Sequence, residues 1–160
     1  MESYKKLFLG FFYAFRGVVT SVKTERNLRI HLTCLCYMLG FLLCTDWFVL
    51  TRTDWALLML AAGSVLAAEL FNTALEHTVD LATKEYAEHA KKAKDAAAGA
   101  VLVCAIFAVI VGLCILLQPE AFRQMFAYFK AHLGMFALFV LSIVPASLFI
   151  FLPFGKKDEK

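Results

Sequence analysis

Long apolar stretches, separated by short polar ones, dominate the chain. Residues 96–119 and 131–155 contain no charged side chain, whereas residues 55–75 and 30–50 contain one acidic residue each, Glu69 and Asp46. A helix needs about 20 consecutive, mostly apolar residues to cross the hydrocarbon core of a bilayer. The pattern therefore predicts four transmembrane helices, at residues 30–50, 55–77, 96–118 and 131–154.

The N-terminal segment has a different pattern. In "YKKLFLGFFYAFRGVVTSVK" apolar clusters are mixed with basic residues, which is typical of an amphipathic helix that lies along a membrane surface. We predict this surface helix at 3–24, followed by a turn that carries Glu25 and Asn27. Residues 120–130 form a second, weaker interfacial segment, expected on the opposite side of the membrane. Together these elements predict an all-α, polytopic membrane protein.

Composition supports this fold class, and charge gives its orientation. The 160 residues are 61% hydrophobic and 18% charged, which is too apolar for a soluble domain of this length. Thirteen of the sixteen Lys and Arg residues lie in the N-terminal segment, in a 78–95 loop and in the C-terminal tail. Because cytoplasmic segments are enriched in positive charge, we expect both termini and this loop in the cytoplasm. The net charge of +3 therefore reflects membrane orientation and not nucleic-acid binding.

Acidic residues interrupt the second apolar stretch and continue past its end, in "VLAAELFNTALEHTVDLATKEY", residues 65–86. At 100° per residue, four polar side chains fall within an arc of about 80° on one helix face: Glu69, Asn72, Glu76 and Asp80. An ionisable group in a membrane helix is costly unless it faces protein or water, and such residues are commonly functional. A polar seam between helices would explain the asparagine, but three carboxylates on one face need cations or protons to coexist.

Carboxylates, an amide and a lysine at the inner membrane surface suggest phosphoryl transfer. Mg²⁺ binds carboxylate oxygens and completes its shell with phosphates and water, and Lys94 is a candidate phosphate partner that Asp95 could orient. A carboxylate deeper in the membrane could act as general base toward the hydroxyl of a lipid alcohol. Phosphoryl transfer chiefly needs alignment and charge neutralisation, which these groups provide. The sequence has neither a Walker-type nor a kinase-type glycine loop, so any nucleotide site is of an unusual kind.

A longer motif resembles a known family. The run "ELFNTALEHTVD", which fits E-x-x-N-[ST]-A-[IL]-E-x-x-x-D, is followed downstream by "AKD". This order resembles the signature of the small bacterial integral-membrane lipid kinases, the diacylglycerol kinase and undecaprenol kinase family. The segment "KTERNLRIHL" is similar to the Gram-positive undecaprenol kinase branch. The resemblance implies ATP-dependent phosphorylation of a membrane lipid alcohol, undecaprenol ahead of diacylglycerol, at the cytoplasmic face of the bacterial cytoplasmic membrane.

The resemblance also implies an assembly and a set of site residues. Members of this family are homotrimers of three-helix subunits with a surface helix, and their sites are shared between neighbouring subunits. By similarity, Glu69 is the catalytic base, and Glu25 and Glu76 hold the Mg²⁺ that carries ATP. Glu76 also belongs to the nucleotide site. The other residues expected around the nucleotide are Asn72, Asp80, Lys94 and Asp95, with Lys6 and Arg16 as weaker candidates for phosphate contact.

The resemblance divides the chain into a kinase core, residues 1–119, and an extension, residues 120–160. Nothing in the extension resembles a catalytic motif, so we expect its helix to pack on the outside of the core. Pro145 in the middle of that helix would kink it unless neighbouring groups satisfy the carbonyl that proline frees.

A non-enzymatic membrane scaffold or a proton-conducting protein could use the same carboxylates. The Lys94 and Asp95 segment and the Glu25 turn favour a kinase, because a proton path needs no basic nucleotide-binding loop and a scaffold needs no acidic surface turn. We interpret His31 and His132 as ordinary residues, since both lie at predicted helix ends, where interfacial histidines are common.

Overall fold

The computed structural model describes residues 2–83 and 87–152, and this part of the chain is entirely helical apart from short connections. Its six helices are α1 (Glu2–Thr24), α2 (Arg26–Cys44), α3 (Arg52–Ala82), α4 (Glu88–Leu116), α5 (Pro119–Ala131) and α6 (Leu133–Phe151). By length and composition α2, α3, α4 and α6 can each cross a membrane. The prediction of an all-α, polytopic membrane protein is confirmed.

Helix α1 carries exposed aromatic side chains along its first half, among them Phe8 and Phe11, as a helix on a membrane surface requires. It ends where Glu25 adopts an extended backbone and becomes the N-cap of α2. The Glu25 amide still donates to the Ser21 carbonyl at 2.7 Å, so the chain turns within a single residue. This tight turn holds Glu25 at the junction of the surface helix and the first membrane helix.

Helices α3 and α4 form a long hairpin. Helix α3 begins with a capping box, in which the Thr51 side chain accepts from the Asp54 amide and the Asp54 carboxylate accepts from the Thr51 amide. Both helices continue into the segment predicted as the 78–95 loop, where α3 ends at Ala82 and α4 starts at Glu88. Lys84 lies outside the described residues. The hairpin therefore carries Lys94 and Asp95 on a helix and not on a loop.

At the opposite end of the molecule, α5 covers the connection between α2 and α3. The Gln118 side chain donates to the Val49 carbonyl at 3.0 Å and accepts from the Val49 amide at 3.1 Å. Trp47 packs against the rings of Tyr128 and Phe129 on α5. Such aromatic clusters are typical of a membrane–water interface. The 120–130 segment is thus a helix packed on this connection, and its interfacial position stays a prediction.

Helix α6 runs antiparallel to α2 over most of its length. The contacts that define this packing, in order along α2, are Arg29 with Ile150, Tyr37 with Ser142, and Phe41 with Phe139. If α2 crosses the membrane, α6 must cross it in the opposite direction. The helix runs through Pro145 without interruption. Residues 153–160, with the basic tail of Lys156, Lys157 and Lys160, lie outside the described part of the chain.

Candidate active site

The polar face of α3 is partly buried in the single chain. Glu69 is only 3% exposed and Thr73 is 7% exposed. The Thr73 hydroxyl donates to the Glu69 backbone carbonyl at 3.0 Å, so the threonine is satisfied within its own helix. The Glu69 carboxylate is left to interact with groups outside α3.

Its partner is His31 on α2. The His31 Nε2 atom lies 3.4 Å from Glu69 Oε1, and the histidine side chain is 28% exposed whereas that of the glutamate is 4% exposed. From the sequence, His31 is an ordinary interfacial residue outside the predicted site. No sequence signal reveals the pair, because the register between α2 and α3 decides which side chains meet.

Asn72 lies about one turn beyond Glu69 along α3, and Glu76 lies about two turns beyond it. The two side chains are hydrogen-bonded to each other. The Asn72 Nδ2 atom donates to Glu76 Oε1 at 2.9 Å. The Asn72 Oδ1 atom is buried and has no hydrogen-bond partner within the described residues. A buried acceptor without a donor is costly, and here it lies beside a carboxylate, so the pair presents oxygen atoms that suit a hard cation or a donor group of a ligand.

Glu25 approaches the same face from the junction of α1 and α2. It is half-buried, and both Glu25 and Glu76 lie close enough to Glu69 to interact with it electrostatically. Among the described residues, no three His, Cys, Asp or Glu side chains are assembled into a metal site. Mg²⁺ usually takes only one or two protein carboxylates and fills its shell with phosphates and water. The donor set therefore fits an ion that arrives with a nucleotide.

An ion pair joins α3 and α4 near the tip of the hairpin. The Lys94 Nζ atom donates to Asp80 Oδ1 at 2.6 Å, and each side chain is about one-third exposed. Asp80 is thus brought together with Lys94 as a unit, while the neighbouring Asp95 is exposed on α4. The pair orients the lysine at the edge of the polar face, within reach of solvent.

The two basic candidates on α1 have different positions. Arg16 lines a cavity of about 540 Å³ between α1 and α3, whose walls include Thr20, Thr73 and Ala74. Lys6 is exposed and lies about 15 Å further along α1, at 1.5 Å per residue. The structure therefore places Arg16, but not Lys6, beside α3, although the cavity lining includes none of Glu69, Asn72, Glu76 and Asp80.

A buried carboxylate within a membrane helix, an amide and carboxylate pair beside it, and a lysine at the helix end define a polytopic membrane enzyme. The comparisons with known proteins agree. Residues 12–116 match the family described as prokaryotic diacylglycerol kinase, and the chain belongs to this family. The protein is therefore a multi-pass membrane lipid kinase that uses ATP, and not a scaffold or a proton-conducting protein.

Relatives with different acceptor lipids resemble the chain. The undecaprenol kinase of Bacillus subtilis is 42% identical over 112 residues, which cover 70% of this chain and 89% of that protein. The diacylglycerol kinase of Synechocystis is 47% identical over 116 residues, 71% of this chain and 63% of that protein. The diacylglycerol kinase of Helicobacter pylori is 32% identical over 108 residues, 66% of this chain and 80% of that protein. No solved structure matches the chain.

Proposed function

We propose that the protein transfers the γ-phosphate of ATP to the terminal hydroxyl of undecaprenol, with diacylglycerol as the alternative acceptor. The observation that carries this proposal is the position of Glu69, a carboxylate buried among membrane helices and followed along α3 by the Asn72 and Glu76 pair. A lipid hydroxyl reaches such a carboxylate from the bilayer, while a nucleotide reaches the pair from the aqueous end of the helix. Similarity to the undecaprenol kinase of Bacillus subtilis, over 89% of that protein, supports this acceptor. The 47% identity to the Synechocystis diacylglycerol kinase supports the alternative.

Glu69 acts as general base in this reaction. It lies about 10 Å along the helix axis from Glu76, at 1.5 Å per residue, so one helix carries both the base and the phosphate end of the site. The carboxylate accepts the proton of the lipid hydroxyl as the oxygen attacks the γ-phosphorus. Its burial excludes bulk water, which would otherwise compete with the lipid as the acceptor of the phosphoryl group.

The other residues bind and align the nucleotide. Glu25 and Glu76 would hold Mg²⁺, which neutralises phosphate charge when bound, and the free Asn72 Oδ1 atom can accept a hydrogen bond from a ligand or contact the cation. Lys94, oriented by Asp80, is the phosphate contact at the helix end. Asp95 orients the nucleotide from α4. Arg16 contacts phosphate from the cavity beside α3, with Lys6 as a weaker contact further along α1.

The active assembly is a homotrimer in the bacterial cytoplasmic membrane, with its sites facing the cytoplasm and shared between subunits. Within α4, which the structure describes throughout, no side chain is buried in the single chain, so this helix is free to pack against neighbouring copies. The described basic residues of the α1–α2 junction and of α4 support the cytoplasmic orientation. The oligomeric mass of the purified protein in detergent tests the trimer.

The experiment that tests the function is a phosphoryl-transfer assay. Purified protein in lipid bicelles is given labelled ATP, Mg²⁺ and one lipid alcohol at a time: undecaprenol, a shorter polyprenol or diacylglycerol. We expect the highest kcat/KM with undecaprenol, and product formation at least about 100-fold slower when Glu69→Gln protein is used. A higher kcat/KM with diacylglycerol would establish the alternative acceptor, and absence of any lipid phosphate would refute the proposal.

A further inference from the structure

The contact between His31 and Glu69 bears on how the base loses its proton after each turnover. A base that is 4% exposed can take one proton from a lipid, but it has no direct route by which to return that proton to water. We propose that His31 accepts this proton from Glu69 and releases it to the aqueous side, so that the carboxylate is ready for the next turnover. The inference rests on the proposed function of Glu69.

The geometry supports a single-step relay between two helices. His31 Nε2 is 3.4 Å from Glu69 Oε1, a separation that a small side-chain movement reduces to hydrogen-bond length. The ring has a second nitrogen, Nδ1, on its other side, and the side chain is 28% exposed. The imidazole can therefore receive a proton at one nitrogen and release one from the other.

The charged groups described near the pair are carboxylates and one cation. On α3 the carboxylates are Glu69 and Glu76, and at the start of α2 there is Glu25; both Glu25 and Glu76 interact electrostatically with Glu69. On α2 the nearest cation, Arg29, donates its hydrogen bonds to backbone carbonyls of α1 and α6. Helix α6 has no charged side chain, and Lys23 at the end of α1 is exposed. The charged group in contact with His31 is thus the Glu69 carboxylate, and the proposal rests on this contact.

Phosphoryl transfer to the lipid hydroxyl releases one proton, which the relay carries to water. The lipid hydroxyl oxygen forms a bond to the γ-phosphorus, and the bond from that phosphorus to the bridging oxygen breaks with its electron pair, which leaves on ADP. The hydroxyl proton passes to the Glu69 carboxylate and then to His31 Nε2. The resulting imidazolium releases its Nδ1 proton to water, which leaves the Nε2–H tautomer beside ionised Glu69. Exchange with water, by loss of the Nε2 proton and uptake of a proton at Nδ1, then restores the tautomer that accepts the next proton.

His31 is therefore a relay residue that acts through Glu69. Rescue by added imidazole tests this role, because imidazole would not restore a loss that is purely structural. His31→Gln keeps a hydrogen-bonding group next to Glu69 but cannot carry a proton, and His31→Ala leaves space for free imidazole. The matched control is His132→Gln, an exposed histidine at the junction of α5 and α6. Each variant is first shown to be folded and to have the wild-type oligomeric mass.

The measurement is the steady-state turnover with saturating lipid and Mg·ATP, with and without added imidazole. We expect both His31 variants to lose about 10- to 100-fold in kcat, at or below the range for losing a general acid–base group. Both KM values should stay within about two-fold of the wild-type values, because the relay contributes to proton transfer and not to binding. Imidazole should restore much of the kcat of His31→Ala and leave wild type, His132→Gln and Glu69→Gln unchanged.

Wild-type kcat in both His31 variants would overturn the relay, as would a loss in folded His31→Ala that imidazole does not restore. The Glu69→Gln variant separates this failure from a failure of the proposed function. If Glu69→Gln is inactive while the His31 variants are normal, only the relay is wrong. If Glu69→Gln is active, the base assignment itself fails.

Discussion

Helices α3 and α6 both pack against α2, but they do so with different groups. Helix α3 brings a carboxylate and a hydroxyl into the interior, at Glu69 and Thr73. Helix α6, which the structure describes from end to end, buries no side chain in the single chain and contacts α2 through rings, one hydroxyl and one backbone carbonyl. Burying an ionisable group is costly, and only α3 of the two helices does so. This difference agrees with the proposal that the reaction takes place in the core and that the extension attaches to it.

The extension nevertheless reaches the side of the molecule that holds the site. Arg29 is 4% exposed, and its guanidinium donates to the Ile150 carbonyl at 3.0 and 3.1 Å and to the carbonyls of Val22 and Lys23 at 3.2 and 2.9 Å. Arg29 thus donates to backbone carbonyls at the C-terminal ends of both α6 and α1. Such carbonyls have no partner within their own helix, and the helix dipole is negative there. The turn at Glu25 is adjacent to this bridge, so α6 can influence the position of a core residue.

The largest effect should come from the buried carboxylate of α3. Glu69→Gln keeps the side-chain shape but removes the basic oxygen, so we expect a loss of at least about 100-fold in kcat, the lower end for losing general-base catalysis. Folding, oligomeric mass and Mg·ATP binding should change little. Turnover is measured with saturating lipid, and a rate near that of wild type would return Glu69 to a structural role.

The second effect concerns the carboxylates assigned to the cation. Glu76→Gln and Glu25→Gln should each raise the Mg²⁺ concentration for half-maximal rate by about 10-fold or more, since even substitutions outside the first coordination shell commonly weaken metal affinity by that much. High Mg²⁺ should restore part of the rate. The matched control is Glu88→Gln, because Glu88 is an exposed glutamate paired with Lys92. A Mg²⁺ dependence like that of the control would remove both residues from the cation site.

The third prediction concerns Arg29, which joins the extension to the core. Arg29→Ala leaves carbonyls of α1 and α6 without their donor, which should lower the free energy of unfolding in detergent by about 2 kcal/mol. Because the turn at Glu25 then loses its support, the KM for Mg·ATP should also rise while the KM for lipid stays unchanged. Arg26→Ala is the control, since Arg26 is exposed in the same helix. If the free energy of unfolding falls while the KM for Mg·ATP is unchanged, the Arg29 contacts only attach α6 and do not affect the nucleotide site.

The smallest effect is expected in the middle of α6. The Tyr37 hydroxyl and Ser142 Oγ lie 2.8 Å apart, and hydrogen bonds between membrane helices contribute about 0.6 kcal/mol on average. Ser142→Ala should therefore lower the free energy of unfolding by roughly that amount and leave kcat unchanged. Ser64→Ala serves as control, because the Ser64 hydroxyl donates to the Leu60 carbonyl of its own helix. A clear fall in kcat would show that α6 does more than attach.

The fold could be predicted almost entirely from hydropathy. The surface helix expected at 3–24 is α1, and each predicted span corresponds to a helix of the structure. The 78–95 segment shows the limit of this approach. Hydropathy detects the part of a helix that lies in lipid, but backbone hydrogen bonds continue into water, so α3 and α4 extend well into that segment.

By itself, the sequence determined the number of spans, their expected orientation and the shared face of Glu69, Asn72, Glu76 and Asp80, because each of these depends on spacing within one helix. The tertiary structure alone decided which groups meet across helices. The pairing of His31 with Glu69 depends on the register of α2 against α3, and the reach of Arg29 to Ile150 depends on that of α2 against α6. Registers between helices are set by the packing of many apolar side chains at once, and no local spacing rule encodes the result.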